Sequence, residues 1–145
     1  MQDVILASDH RGFDLKQKIK EFLKEKKIMT VDVGCANATT NVDYPVYVKE
    51  AAECVLSARH FCGIFVCGSG IGVCIAANRY KGIRAVLAHS VDEVKSARQH
   101  NDANVLCLSG DNHDFELVKK IIVAFLNTKF DGEERRRRRN AMLDQ

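Results

Sequence analysis

The chain has 145 residues, 46% of them hydrophobic and 28% charged, which is material for one core of ordinary size. The formal net charge is only +3, and much of it comes from a single run, RRRRR at 135–139, so the rest of the chain is close to neutral. That balance argues against a generally basic nucleic-acid-binding surface, and no apolar stretch approaches the length that spans a membrane.

Along the chain, short β-rich runs alternate with longer helical patterns. VILAS (4–8) reads as a strand. FDLKQKIKEFLKEK (13–26) repeats apolar residues at Phe13, Leu15, Ile19, Phe22 and Leu23, one face of a helix. IMTVDVG (28–34) is a second strand, ended by a glycine. A polar connection, CANATTNVDY, leads to the only proline, Pro45, and to a helix from about Val46 to Arg59. CGIFVCG (62–68) is almost continuously apolar, as a central parallel strand covered on both faces should be.

IGVCIAANRY continues as a helix, and RAVLA (84–88) is a fourth strand. VDEVKSARQH (91–100) is a helix that starts after Ser90, a good N-cap. ANVLCLS (103–109) is the fifth strand, FELVKKIIVAFLNT (115–128) a helix, and the segment from Asp131 a last helix. With no repeat and no internal linker, residues 1–145 read as one domain. The alternation predicts an α/β fold, a three-layer α/β/α sandwich around a five-stranded parallel sheet of Rossmann-like type, with a C-terminal helix. Ligands of such sheets sit beyond the carboxyl ends of the strands. That rim should carry Asp9 and His10, Cys67 to Gly72, and the segment after Ala88.

Six cysteines (35, 54, 62, 67, 74 and 107) include no CxxC pair, which argues against a structural zinc site. MQDVILASDH enters a strand pattern directly, without the pattern of a signal peptide. The expectation is a reducing, cytoplasmic compartment with free thiols, most of them small core residues.

The stretch FVCGSGIGVCIAANRY (65–80) sets a cysteine before three glycines at alternate positions. GSGIG is not the GxGxxG of dinucleotide folds, and the next strand, RAVLA, ends on His89 and Ser90 with no acidic partner for a ribose. The loop reads either as a nest of amides for a phosphate or oxyanion, or as a tight strand-to-helix turn. Cys67 is either a nucleophile or general base, favoured as thiolate before a helix start, or one more core cysteine. Ser69 can donate a proton or simply satisfy the turn. Asp9 and His10 form a rim pair, and His100 stands at a helix end, where the dipole favours positive charge or the residue merely caps the helix. Asn101 could equally be a turn former, and His60, His89 and His113 fit no pattern. On a helix, Arg135 and Arg139 lie four apart and can clamp one phosphate, whereas the bland reading of the run is a solvated face or a nucleic-acid contact.

SDHRGFDLK, VDYP, VCGSGIGVCIAANRYKGIRAVL, ARQHNDANVLCL and FDGEERRRRR, in this order across nearly the whole chain, resemble the ribose-5-phosphate isomerase type B family, which also includes subunits of galactose-6-phosphate isomerase. The resemblance implies an aldose–ketose isomerisation of a sugar phosphate, without metal or other cofactor, in a homodimer with active sites at the subunit interface. By the same resemblance Cys67 is the base at C2, and Gly68, Ser69, Gly70, Ile71 and Gly72 form the oxyanion hole, with Ser69 assisting proton movement. His100 opens the furanose ring, Asp9 and Asn101 bind hydroxyls, His10, Arg135 and Arg139 bind phosphate, and Tyr44 of VDYP joins the substrate site.

The chain departs from the family pattern twice. A GAR- or GSR-like turn after the fifth strand usually carries an arginine, and here Asp111 of LSGDNHD stands in its place. A carboxylate cannot replace an arginine against phosphate, which implies weaker binding, another cation or lost activity. The ERHxRR tail of the family has Arg136 where a histidine is expected, so Arg138 is an alternative to the Arg135 and Arg139 pair. Two other readings stand beside the pentose isomerase: a six-carbon relative acting on allose or galactose 6-phosphate, and a catalytically weak sugar-phosphate or nucleic-acid binder.

Overall fold

The computed structural model describes residues 3–111 and 114–145, so His113 lies outside the described residues. Five strands, β1 (Asp3–Ser8), β2 (Thr30–Asp32), β3 (Phe61–Cys67), β4 (Ala85–Leu87) and β5 (Val105–Ser109), form one sheet in the order β2-β1-β3-β5-β4. Every pairing is parallel, as the alternating pattern predicts. Six helices complete the fold: α1 (Phe13–Glu25), α2 (Tyr44–Ser57), α3 (Ile71–Ala77), α4 (Val91–Asn101), α5 (Phe115–Asn127) and α6 (Glu134–Met142).

Two apolar layers cover the sheet. On one face Leu15, Ile19 and Leu23 of α1, Val94 of α4 and Val118, Ile121, Ile122 and Phe125 of α5 pack on Val4, Leu6, Ile64, Val66, Leu106 and Leu108. On the other, Val48, Ala51, Ala52 and Val55 of α2 and Val73 and Ala77 of α3 pack on Ile5, Ala7, Phe65, Val105 and Cys107. Alternate residues of β1, β3 and β5 thus enter opposite layers, which is why these strands read as unbroken apolar runs. α6 buries none of its residues. Among the described residues no helix is long and apolar enough to cross a membrane.

Several boundaries differ from the sequence pattern, and two of them have a clear physical reason. β2 keeps only three residues of the seven-residue run, because it is an edge strand paired on one side. α2 starts at Tyr44 and takes Pro45 into its first turn, where the fixed φ of proline fits and its missing N–H has no helical partner to lose.

Because α1 and α2 lie on opposite faces, the chain leaves β1 on one side and returns through α2 to β3 on the other. The carboxyl ends of the neighbouring strands β1 and β3 are therefore a topological switch point, where a crevice opens. A buried ion pair sets the outer wall of this crevice. Lys16 Nζ, on the sheet side of α1, reaches Asp32 Oδ1 at 2.7 Å and the Cys35 carbonyl at 2.9 Å, so it ties α1 to the segment that follows β2. Burial raises the Asp32 pKa, but hydrogen bonds from Lys16, Gly34 and Lys20 and the charge of Lys16 outweigh it, and the net direction is down.

A lowered carboxylate contributes stability above its unfolded pKa of about 3.9 and loses it as pH falls through the lower folded value. Asp32→Asn should cost roughly 3 kcal/mol at pH 7, since it leaves Lys16 buried without a counter-charge. Urea titrations of both proteins across pH check this: their difference in stability should shrink below about pH 3.9.

Candidate active site at the carboxyl ends of the strands

After β1 the chain turns sharply. The buried Asp9 accepts the Gly12 N–H on Oδ1 at 2.9 Å, which closes the turn that starts α1. His10 accepts the Val42 N–H on Nδ1 at 3.1 Å. That bond fixes the ring against the segment carrying Val42 and leaves Nε2 as the ring's N–H in the neutral form.

Cys67 ends β3, 5% exposed, and accepts the Gly70 N–H on Sγ at 3.2 Å. A hydroxyl and two amides from the end of β5 hold this junction: Gly110 N–H donates to the Cys67 carbonyl at 2.7 Å, and the Gly68 carbonyl accepts from Ser109 Oγ at 2.7 Å and Asp111 N–H at 3.1 Å. Gly70 takes φ +76°, and a Cβ there would lie 2.8 Å from the Leu108 carbonyl carbon. Any other residue would meet both backbone strain of about 1–3 kcal/mol and a backbone clash. At Gly72 a Cβ would lie 2.8 Å from Tyr44 Cζ, so the Tyr44 ring rests on the loop.

Within GSGIG two amides are engaged internally, Gly70 by Cys67 Sγ and Ile71 by Ser69 Oγ at 3.2 Å. That leaves the amides of Gly68, Ser69 and Gly72 as the loop positions able to donate to an anion. This narrows the five-residue nest expected from the pattern to three positions beside the Cys67 sulfur. Such an arrangement can remove a proton next to a carbonyl and hold the resulting negative charge on oxygen.

The structure does not bring all the candidate residues together. α4 runs back against the strands, so His100 and Asn101 at its end lie beside the amino end of β5, where the Asn101 carbonyl accepts Arg84 Nε at 2.8 Å. Cys67 pairs with Ser109 at the carboxyl end of β5. The length of β5 alone separates the two groups by about 13 Å, at roughly 3.3 Å per residue. Arg135 and Arg139 go with the distant group: with His100, Asn101, Arg136 and Asn140 they line a cleft of about 220 Å³. Ser96 Oγ holds His100 Nδ1 at 3.1 Å.

The arginine run is largely tethered. Arg135 pairs with Glu133, Arg136 with Asp131, and Arg137 Nε donates to the Gly132 carbonyl. Larger clefts of about 600 and 640 Å³ lie at the β4 edge and between α1 and α5, and neither contains Cys67.

Two features escaped the sequence pattern. Cys74 is half-buried rather than sealed in the core, and the Cys107 thiol donating to it, with the Leu87 N–H and Asn78, overcomes burial and brings its pKa down to about 7. Burial, with Cys74 and Cys67 nearby, pushes the Cys107 thiol well up. The second feature is Arg11, whose Nη2 pairs with Asp111 Oδ2 at 2.8 Å directly beside the loop. The proximity of residues 11 and 111 depends on the β1-β3-β5 order, which no local motif reveals.

The pattern of the Ribose/Galactose Isomerase family matches residues 4–143. The chain belongs to this family. It is a sugar phosphate isomerase, similar to ribose-5-phosphate isomerase B of Escherichia coli, with 35% identity over 98% of this chain and 95% of that one. The crystal structure of a ribose 5-phosphate isomerase from Thermotoga maritima superposes with a TM-score of 0.94 at 43% identity, covering 99% of this chain and 97% of that one. The type B ribose 5-phosphate isomerase of Trypanosoma brucei gives 0.91 at 37% identity, over 99% and 97%.

Proposed function

We propose that this isomerase interconverts ribose 5-phosphate and ribulose 5-phosphate through an enediolate, with Cys67 as the general base. The observation that carries the reading is the buried Cys67 sulfur, which holds the Gly70 amide at the head of the glycine loop. Cys67 takes the C2 proton of the open-chain aldose. The charge left behind moves onto O1, where the loop amides stabilise it. Ser69 passes the hydroxyl proton from O2 to O1, and the Cys67 thiol returns its proton to C1, which leaves the ketone at C2.

The remaining roles need a second copy of the chain. His100 and Asn101, with Arg135 and Arg139, are remote from Cys67 in their own chain, so we assign them to the site of the partner in a homodimer. There His100 opens the ring, Asn101 and Asp9 bind hydroxyls, and the two arginines close on the phosphate opposite His10. Ile71 and Ile75, one turn apart and more than half exposed on α3, supply apolar surface beside the loop for such a contact. The tethering of Arg135, Arg136 and Arg137 weighs against an open nucleic-acid stripe. A reducing, cytoplasmic setting suits six cysteines that are all free.

Relatives named for ribose 5-phosphate favour the five-carbon substrate. Steady-state kinetics on ribose 5-phosphate, allose 6-phosphate and galactose 6-phosphate test this choice. The expected kcat/KM for the pentose exceeds either hexose by roughly 10-fold or more, the scale at which one extra carbon unit is discriminated. Equal or better turnover of a hexose phosphate would move the assignment to the six-carbon branch.

A further inference from the structure

We propose that Arg11 is a ligand of the substrate phosphate, held ready at the mouth of the loop by Asp111; the inference rests on the sugar-phosphate reading above. The turn that carries Arg11 has a fixed seat, because Asp9 holds the Gly12 amide and a Cβ on Gly12 would run into the Val66 carbonyl oxygen. From that seat the guanidinium lies across Gly68. A Cβ on Gly68 would come within 2.6 Å of Arg11 Cζ, 2.7 Å of Nε and 2.9 Å of Nη1. Gly68 is therefore the residue over which this arginine passes.

Asp111 fixes the far edge of the guanidinium through Nη2, and its own amide is bound to the Gly68 carbonyl at 3.1 Å. Cation, counter-ion and loop thus form one unit. Both side chains are about three-fifths exposed, 60% and 59%, and an ion pair so wetted contributes little to stability. Its consequence is positional: one edge of a planar donor is anchored, and Nε and Nη1 meet no acceptor among the described residues. A guanidinium presented in this way suits a phosphate, which accepts two parallel hydrogen bonds. Arg11 also follows His10 directly, so the two side chains leave the same turn. The carboxylate at position 111 cannot itself hold phosphate. Instead it presents the cation that can.

The test is isothermal titration of inorganic phosphate, together with ribose 5-phosphate kinetics, on the wild-type protein, Arg11→Gln and Arg11→Lys, with circular dichroism to verify folding. Arg11→Gln should weaken phosphate binding by roughly 10- to 100-fold and raise KM more than it lowers kcat. Arg11→Lys should recover part of the loss, as a point charge without the fork. Phosphate affinity in both variants within about twofold of wild type, or no phosphate binding by wild type at all, overturns the proposal. Loss of phosphate binding in Arg11→Gln by a wild type that does not turn over ribose 5-phosphate would uphold the anion site and refute the assigned reaction. Turnover with an unchanged KM and phosphate affinity in both variants would do the reverse.

Discussion

Cys67→Ala should lower kcat on ribose 5-phosphate by about 10²- to 10⁴-fold, the range attributed to a positioned general base. KM should change little, because the phosphate and hydroxyl contacts lie on other side chains, so kcat and kcat/KM should fall together. The variant should fold: the side chain is small, and its loss should cost on the order of 1 kcal/mol. The hydrogen bond its sulfur accepts from Gly70 N–H is replaceable by water or by the substrate's own oxygen. Rates and thermal melts on the same preparation separate a chemical loss from a folding loss. A Cys67→Ala enzyme with near wild-type turnover would make the sulfur a packing residue and leave Cys74, whose pKa is brought down to about 7, as the neighbouring thiol to examine.

The architecture was legible where the pattern is dense. The run at 62–68 predicted the buried central strand, and Ser90 predicted a helix start that the structure closes as a capping box with Glu93. Legibility failed where tertiary context decides. Three of the seven residues at 28–34 pair as β2, because an edge position offers a partner on one side only. In the site, glycines flanking a cysteine announced a close-approach loop, and the structure gives two of them a reason: the left-handed turn at Gly70 and the Tyr44 ring on Gly72.

What sequence alone does not convey is which end of the sheet a residue occupies. His100 belongs to the helix that begins at the Cys67 rim, but the eleven-residue helix carries it to the opposite end. Nor can a local reading of Asp111, which on its own signals a lost cation, reveal that Arg11 from another strand end stands against it.

The second large effect follows from that separation. A Cys67→Ala chain and an Arg135→Ala, Arg139→Ala chain should each be nearly inactive as homodimers. When the two are unfolded together and refolded, random pairing makes half of the dimers mixed. Each mixed dimer has one site with both defects and one with neither, so activity should return to about a quarter of the wild-type level. Rates before and after mixing check it. If the whole site lay within a single chain, no pairing could rebuild an intact one, and the mixture would stay inactive. Recovery would also place the arginines functionally opposite Cys67, a relation absent within one chain, where they line a separate cleft with His100.

In the proposed reaction a proton, rather than a hydride, leaves C2, and it leaves through Cys67. The most direct measurement is turnover of ribose 5-phosphate in D₂O, followed by NMR of the recovered sugar phosphates for wild type and Cys67→Ala. A thiol exchanges its proton with solvent between abstraction and return, so wild type should deposit deuterium at C1 of ribulose 5-phosphate and at C2 of recovered ribose 5-phosphate, and the variant should deposit almost none. Wild-type turnover with no deuterium in either sugar, or equal incorporation by Cys67→Ala, would contradict the account.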